Sequence, residues 1–487
     1  MNFNMKIALL TDIHDGNTAN GARRCDIARI LLDRAVRRLN ELERPDITLV
    51  LGDLLNDGDH SDAKERLVAL KQILDKLKSP YLVIPGNHDC DADTFYRIFD
   101  RPKDIEEHGG VRFLAFLDEE QPQHCAKRSQ QDIDRIKLAR QNFKGPIISL
   151  QHVCLFPPER AHAPYNLTNA PAVIRVMKEA GVRLSVSGHH HRGVEDIRDD
   201  NLLFVNAPGL CEAPFYYMTI ELDAQGKAES RRHSLAMPRR LKLVDTHMHT
   251  QMAYCSENMD VEKMVALAKD FGLAGICITE HSGQLYFNRE KYWKKHCLRD
   301  GMESTVPEDN RMAEYRALKD AFGEDKVVFG LEADCDYNGN LLIAHEDHNH
   351  FTHIVGALHG LPRILKEPEQ AHLVQDDFLF MTEKTLQQNV VSLAHPFRVF
   401  RRSHLPVPEE LFLPVAKLLK QYGVAAELNF HTNLPPVEFV KICLDMGVKF
   451  TFASDAHNLL ELGDFAYHID VLKKAGFDGD LRDILLR

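Results

Sequence analysis

Short apolar runs closed by turn residues recur along this chain and alternate with stretches whose apolar residues repeat at helical spacing. In residues 6–235 the segments Lys6–Thr11, Ile47–Leu51, Tyr81–Ile84, Pro146–Leu150 and Leu184–Ser187 are short, rich in branched residues and turn-bounded, the pattern of buried strands. Asp26–Glu43 and Ala63–Leu77 carry helical periodicity and are predicted to cover them. After Gly188 the predicted strands come closer together (Leu202–Asn206, Tyr216–Leu222, Arg231–Leu235), as a second sheet would require. The segment Ala236–Leu241 has a proline, a basic pair and no periodicity, so we place a domain boundary there, with domains at 1–238 and 239–487. Beyond it the alternation restarts. Strands are predicted at Val244, Gly275–Thr279, Val327–Glu332, Ile354–Leu358, Val391–Leu393, Ala425–Asn429 and Lys449–Ala453. The helices predicted between them are Asp260–Phe271, Met312–Phe322, Pro408–Gln421 and Pro436–Met446. Such strand–helix repetition suggests a parallel barrel.

Composition narrows the class. At 487 residues, two or three domains are expected. Hydrophobic content of 44% with 27% charged residues is ordinary for a globular protein, and no run approaches the roughly 20 apolar residues of a membrane span. The N-terminal apolar run is too short for a signal peptide. Ten cysteines without a CxxC pair argue against a disulfide framework or zinc ribbon and suit a reducing cytoplasm. A net charge of −12 disfavours a nucleic-acid surface but not small anionic substrates, because bound dications make a site locally positive. The 26 histidines are the compositional anomaly.

Many of those histidines fall at predicted strand ends. The first half carries Asp12-Ile13-His14, Gly52-Asp53, Gly86-Asn87-His88-Asp89, His152 and Gly188-His189-His190-His191. The second carries Asp245-Thr246-His247-Met248-His249, Glu280-His281, Glu332, His359, His395-Pro396 and Asp455-Ala456-His457. Mixed carboxylates and imidazoles suit divalent metals acting as Lewis acids. Asp12 and His14, two apart, leave a strand end on one side, and Asp53 has a carboxylate able to bridge two ions. One such residue alone reads equally well as a turn cap; five blocks in order do not. His60 and His162 read as solvated, although His162 lies in a plausible substrate loop, and the run His345, His348, His350 and His353 matches no block and reads as a solvated loop.

The first set, DxH, GD, GNH, H and GHxH in order, resembles the calcineurin-like metallophosphoesterase superfamily, and GNHD is common in its branch containing the class III cyclic-nucleotide phosphodiesterases. The resemblance implies a helix-covered two-sheet sandwich holding two divalent metals (Mn, Fe or Zn). One would use Asp12, His14, Asp53 and His191, the other Asp53, Asn87, His152 and His189. It further implies that His88 protonates the leaving oxygen while Asp89 orients its ring.

The second set, DTHMH, TEH, GLE, LHG, AHP and SDAH, is similar to the PHP (polymerase and histidinol phosphatase) superfamily. A distorted (β/α)₇ barrel with two or three divalent metals (Zn, Mn or Fe) is implied, with ligands His247, His249, His281, Glu332, His359, His395, Asp455 and His457. Glu332 would bridge, and Arg398 would bind phosphate, for which a guanidinium fork is suited. Glu280 departs from the usual TDH. Tyr254 and Cys255 stand where many relatives hold a third-metal His or Asp; Cys255 is either a thiolate ligand or a plain buried cysteine.

The whole reads as a bifunctional metal-dependent phosphoesterase acting on small phosphorylated metabolites or nucleotides, with one half opening diesters and the other releasing phosphate from monoesters. The alternatives are a nuclease, against which the acidic charge speaks, and one active half beside a metal-stabilised scaffold. No membrane partner is expected, and the sequence does not give an oligomeric state.

Overall fold

Strand alternation builds the first of two units, Met1–Ala236 and Met237–Arg487. The computed structural model describes residues 4–161, 163–322, 327–363 and 371–486, so His162 lies outside the described residues. In the first unit the strands are β1 (Asn4–Leu10), β2 (Ile47–Val50), β3 (Tyr81–Val83), β4 (Glu106–His108), β5 (Val111–Ala115), β6 (Glu119–Gln121), β7 (Cys125–Lys127), β8 (Ile147–Leu150), β9 (Leu184–Ser187), β10 (Val194–Asp199), β11 (Leu202–Asn206), β12 (Tyr216–Asp223) and β13 (Ala228–Ser234). They form one sheet in the order β13-β12-β1-β2-β3 and another in the order β10-β11-β9-β8-β5-β4, with β6-β7 as a separate hairpin. Inward residues of both sheets, among them Ile7, Leu9, Leu49, Ile148, Leu150, Val186, Val205 and Ile220, make one shared core. Ile147, one residue out of phase with Ile148, instead packs with Ile136, Val173 and Met177 of the helices Gln130–Arg140 and Ala170–Glu179. The predicted helix Asp26–Glu43 is three segments: a 3₁₀ turn Cys25–Ile27, an α-helix Ala28–Arg38 and a π turn Leu39–Glu43.

The second unit has β14 (Val244–Met248), β15 (Gly275–His281), β16 (Val327–Asp334), β17 (Ile354–Ala357), β18 (Ser392–Leu393), β19 (Ala425–Asn429) and β20 (Phe450–Ala453). All pair in parallel and in sequence order. The first and last strands approach through a Met248–Ala456 bridge and through Asp455 N–H donating to His247 O at 2.8 Å, so the barrel is nearly closed. Helices fill the crossovers as the periodicity predicts; Val261–Asp270, for example, starts where the Asp260 side chain accepts Lys263 N–H at 3.0 Å. The mixed α/β class, sandwich then seven-strand barrel, is as the sequence led us to expect. Among the described residues no helix is long and apolar enough to cross a membrane.

Candidate metal centres

In both units the polar blocks follow the C-terminal ends of parallel strands, where diverging loops leave room for a site. In the first unit β1, β2, β3, β8 and β9 deliver Asp12 and His14, Asp53, Asn87, His152, and His189 and His191 respectively. The turns are abrupt. Asp12, His14 and Asp53 all have φ of 52° and His189 has 69°, left-handed values that strain a residue with a side chain.

Two half-sites share one carboxylate oxygen. Asp53 Oδ2 lies 3.5 Å from His14 Nε2 and 3.3 Å from His152 Nε2. Around the first lie His191 Nε2, 3.1 Å from His14 Nε2, and Asp12 Oδ1, 3.2 Å from His191. Around the second lie Asn87 Oδ1 at 3.1 Å and His189 Nδ1 at 3.2 Å from His152 Nε2. The remaining atoms are pinned from behind. Asp53 Oδ1 accepts His88 N–H, and Asp12 Oδ2 accepts His189 N–H and the Thr11 hydroxyl. His152 Nδ1 donates to Leu51 O, and His191 Nδ1 pairs with Glu212 at 2.7 Å. Such partners set which imidazole nitrogen faces inward.

This donor set fits divalent metal. Asp12 Oδ1 is buried and accepts no aligned hydrogen bond, an expensive state for a carboxylate unless a cation answers it. Burial opposes ionisation of Asp12, yet His14 and His191 hold its carboxyl well below the usual range. Burial likewise lowers the basicity of His152, but Asp53 reverses this and raises the ring to about 10. Groups able to hold an ion include Asp53, His152 and His189, and also His14, His191 and Cys211.

One expectation is corrected. Asp89 does not orient His88. Its carboxylate accepts the backbone amides of Leu54, Leu55 and Gly86 at 3.1, 2.8 and 2.9 Å, and so ties the Asp53 turn to the Asn87 turn. The His88 ring is held instead by Asn56 O, 2.9 Å from Nδ1. This leaves Nε2 toward the site, 3.4 Å from Arg23 Nη1. The half-buried His190 ring packs edge-on against Tyr165, and His60 is exposed against Asp62.

In the second unit Glu332 joins two groups of histidines. Its Oε1 lies 2.7 Å from His395 Nε2 and 3.2 Å from His359 Nε2. Its Oε2 lies 2.5 Å from His281 Nδ1, 3.5 Å from His247 Nε2 and 3.6 Å from His249 Nε2. Asp455 Oδ1 adds to the latter group, 3.0 Å from His249 Nε2. Glu332 Oε2 is a buried atom with no aligned hydrogen bond. His247, His249, Glu332 and Asp455 form one group able to hold an ion, and His249, His281 and His457 another. Cys255 Sγ stands 3.6 Å from His281 Nε2, and burial pushes its thiol up to about 11. Glu280 accepts the Thr250 amide and hydroxyl and lies 3.6 Å from His249 Nδ1, so it supports that ring from behind.

Three supporting carboxylates escaped the sequence reading. Glu427 pairs with His247 Nδ1 at 2.9 Å, Asp334 with His359 Nδ1 at 2.6 Å, and Glu212 with His191. An acid within the apolar strand Ala425–Asn429, and another two residues after Glu332, were visible signals for the first two. Glu212 has no motif. Arg398 is buried at the wall of the cluster, donating from Nη1 to Asp455 Oδ2 at 2.6 Å and from Nη2 to His359 Nε2 at 2.9 Å. His345, His348 and His350 are exposed on a 3₁₀ turn, and His353 Nε2 donates to Thr246 O.

A family model described as calcineurin-like phosphoesterase matches residues 5–193, and one described as PHP domain matches residues 245–431. A curated relative, a probable phosphatase from Caldicellulosiruptor saccharolyticus, is 26% identical over 226 residues, covering 44% of this chain and 80% of its own. Among solved structures, a dimetal phosphatase from Danio rerio has 16% identity and a TM-score of 0.39, covering 47% of this chain and 98% of its own. A purple acid phosphatase from yellow lupin (Lupinus luteus) seeds has 11% identity and a TM-score of 0.36, covering 48% of this chain and 54% of its own.

Proposed function

We propose, for a chain that joins a calcineurin-like phosphoesterase domain to a PHP domain, that the two metal-dependent halves hydrolyse phosphate esters in succession. The first would open a small phosphodiester and the second would release phosphate from the resulting monoester. The observation that supports this most is that each unit carries its own buried donor set, with Asp53 serving both halves of one and Glu332 both halves of the other. Bound divalent ions would supply Lewis acidity and an activated water. Asp12, His14, Asp53, Asn87, His152, His189 and His191 would hold them in the first unit. His247, His249, His281, Glu332, His359, His395, Asp455 and His457 would do so in the second.

The chain's own groups do the rest. His88, which stands close enough to His14 and Asp53 to form an ion-holding group with them, would deliver a proton to the leaving oxygen, with Arg23 beside it to attract the anion. In the second unit Arg398 reaches the cluster from its wall and would steady a phosphate there. The test is a screen of phosphate mono- and diesters with wild type, Asp53→Ala and His249→Ala. Asp53→Ala should abolish diester opening, and His249→Ala should stop the reaction at the monoester. Phosphate release from a diester that survives in both single variants refutes the succession.

A further inference from the structure

Beside the second cluster, on the His359 side, lies a cavity of about 230 Å³ that the metal ligands do not fill. Asp334 and His359 form its inner wall, and Tyr292, Trp293, Lys295 and Arg402 bring the outer groups. The outer residues come from the segment after β15 and from the helix Arg398–Arg402. Among the described residues neither Lys295 nor Arg402 has a carboxylate at ion-pair distance. The one carboxylate lining the cavity is already engaged: Asp334 accepts Gly283 N–H at 2.9 Å and His359 Nδ1–H at 2.6 Å.

Lys295 and Arg402 face one small cavity whose only lining carboxylate among the described residues, Asp334, sits on the inner wall tied to Gly283 and His359, so the two cations repel and an anion between them relieves that repulsion. Burial, and then the charge of Arg402, lower the basicity of Lys295. The residue after ligand His359 is Gly360, where a Cβ would stand 3.3 Å from Lys295 Nζ and 2.9 Å from Leu298 Cδ1. The glycine thus lets the ammonium approach the strand end that carries His359. At the rim Trp293, the chain's only tryptophan, is 46% exposed and packs edge-on against Tyr292. The Tyr292 ring in turn lies 6.0 Å from that of His281. An exposed indole beside a cationic cavity gives a flat apolar face for the carbon frame of a ligand.

We propose that this cavity is a second anion subsite of the C-terminal centre, in which Lys295 and Arg402 hold an anionic group remote from the ester being cleaved and Trp293 covers the frame between. The substrates it selects are phosphate monoesters that carry a second phosphate or carboxylate. This rests on the reading of the second unit as a phosphatase, but it is tested by binding alone.

The probes are propylphosphonate, propane-1,3-bisphosphonate and 4-phosphonobutyrate, none of which is an ester, titrated into the metal-loaded full chain. Emission of Trp293 reports on this cavity because the chain has no other tryptophan. The bisphosphonate should bind roughly 10- to 100-fold more tightly than propylphosphonate, the range of a charge-assisted contact. Because a bisphosphonate also chelates metal, the ratio in the variants decides. In Lys295→Gln, Arg402→Gln and the double variant it should fall toward one. A gain for the bisphosphonate alone assigns a second phosphate, and a gain for both difunctional probes assigns any second anion. A ratio unchanged in all three variants, or Trp293 emission that ignores saturating bisphosphonate, overturns the subsite. Probe binding that follows Lys295 in a protein with no His249-dependent phosphatase activity would keep the subsite and remove the enzymatic reading.

Discussion

At the scale of single residues, the proposed chemistry rests on His88 and the imidazoles around it. His88 is held through Nδ1 by Asn56 O, not by Asp89, and its Nε2, beside Arg23, would carry the proton to a leaving alkoxide in the proposed reaction. His88→Asn is expected to lower turnover of alkyl diesters about 10²–10⁴-fold with metal content retained, and the loss should shrink for nitrophenyl esters, whose leaving group departs unaided. Equal losses for good and poor leaving groups would assign His88 to phosphate binding instead. The metal-free protein should also release protons on loading. Burial works against the charged ring in His152 and His249, but Asp53 and Asp455 respectively lead the groups that outweigh it, placing them at about 10 and 9. Near pH 7.5 these rings therefore hold a proton, ligation requires the neutral nitrogen, and metal affinity falls as pH falls. Calorimetry in buffers of different ionisation enthalpy measures the release; a heat independent of buffer contradicts it.

The elements matter through their ends. Parallel strands aim their C-terminal turns at one place, and the turns then bend into left-handed backbone at Asp12, His14, Asp53 and Asp455, each with φ of 52°. Gly52, just before Asp53, combines left-handed backbone with a close approach: φ is +95°, and a Cβ would stand 2.7 Å from Gly86 N and 2.9 Å from Gly86 Cα. Gly52→Ala should cost roughly 1–3 kcal/mol from backbone strain alone. The clash would also part the Asp53 turn from the Asn87 turn that Asp89 ties to it, so metal content should fall more steeply than helicity. Full metal content in Gly52→Ala, measured by elemental analysis beside circular dichroism, would show that the close approach is not needed.

For the whole molecule the decisive fact is that each unit closes its own donor set. Asp53→Ala should therefore remove metal from the N-terminal centre and leave the C-terminal complement in place, with His249→Ala doing the converse. Elemental analysis of the two variants checks this; loss of all metal in either one means the centres depend on each other. Chelation should lower the melting temperature of the wild type, because ligands that bind only the folded state stabilise it by mass action.

Apolar patterning by itself determined that this chain alternates buried strands with covering helices in two halves, because short runs such as Ile47–Val50 and Phe450–Ala453 bury both faces and need cover on each. The sandwich and the seven-strand barrel were expected from the two resemblances as well. Polar blocks at the ends of those runs were equally legible, since a charged residue directly after an apolar strand has few reasons to be there. Other parts were not. The pairs β4-β5 and β6-β7 begin with polar, half-exposed strands, Glu106–His108 and Glu119–Gln121, that carry no alternation to read. Only the tertiary structure decided which atoms serve which neighbour. Asp89 turned to three amides and not to His88, Glu212 came to His191 from outside any motif, and Lys295 met Arg402 across a cavity. The reason is physical: strand patterning is set by local burial, whereas a carboxylate goes to whichever donor the folded chain leaves buried and unpaired beside it.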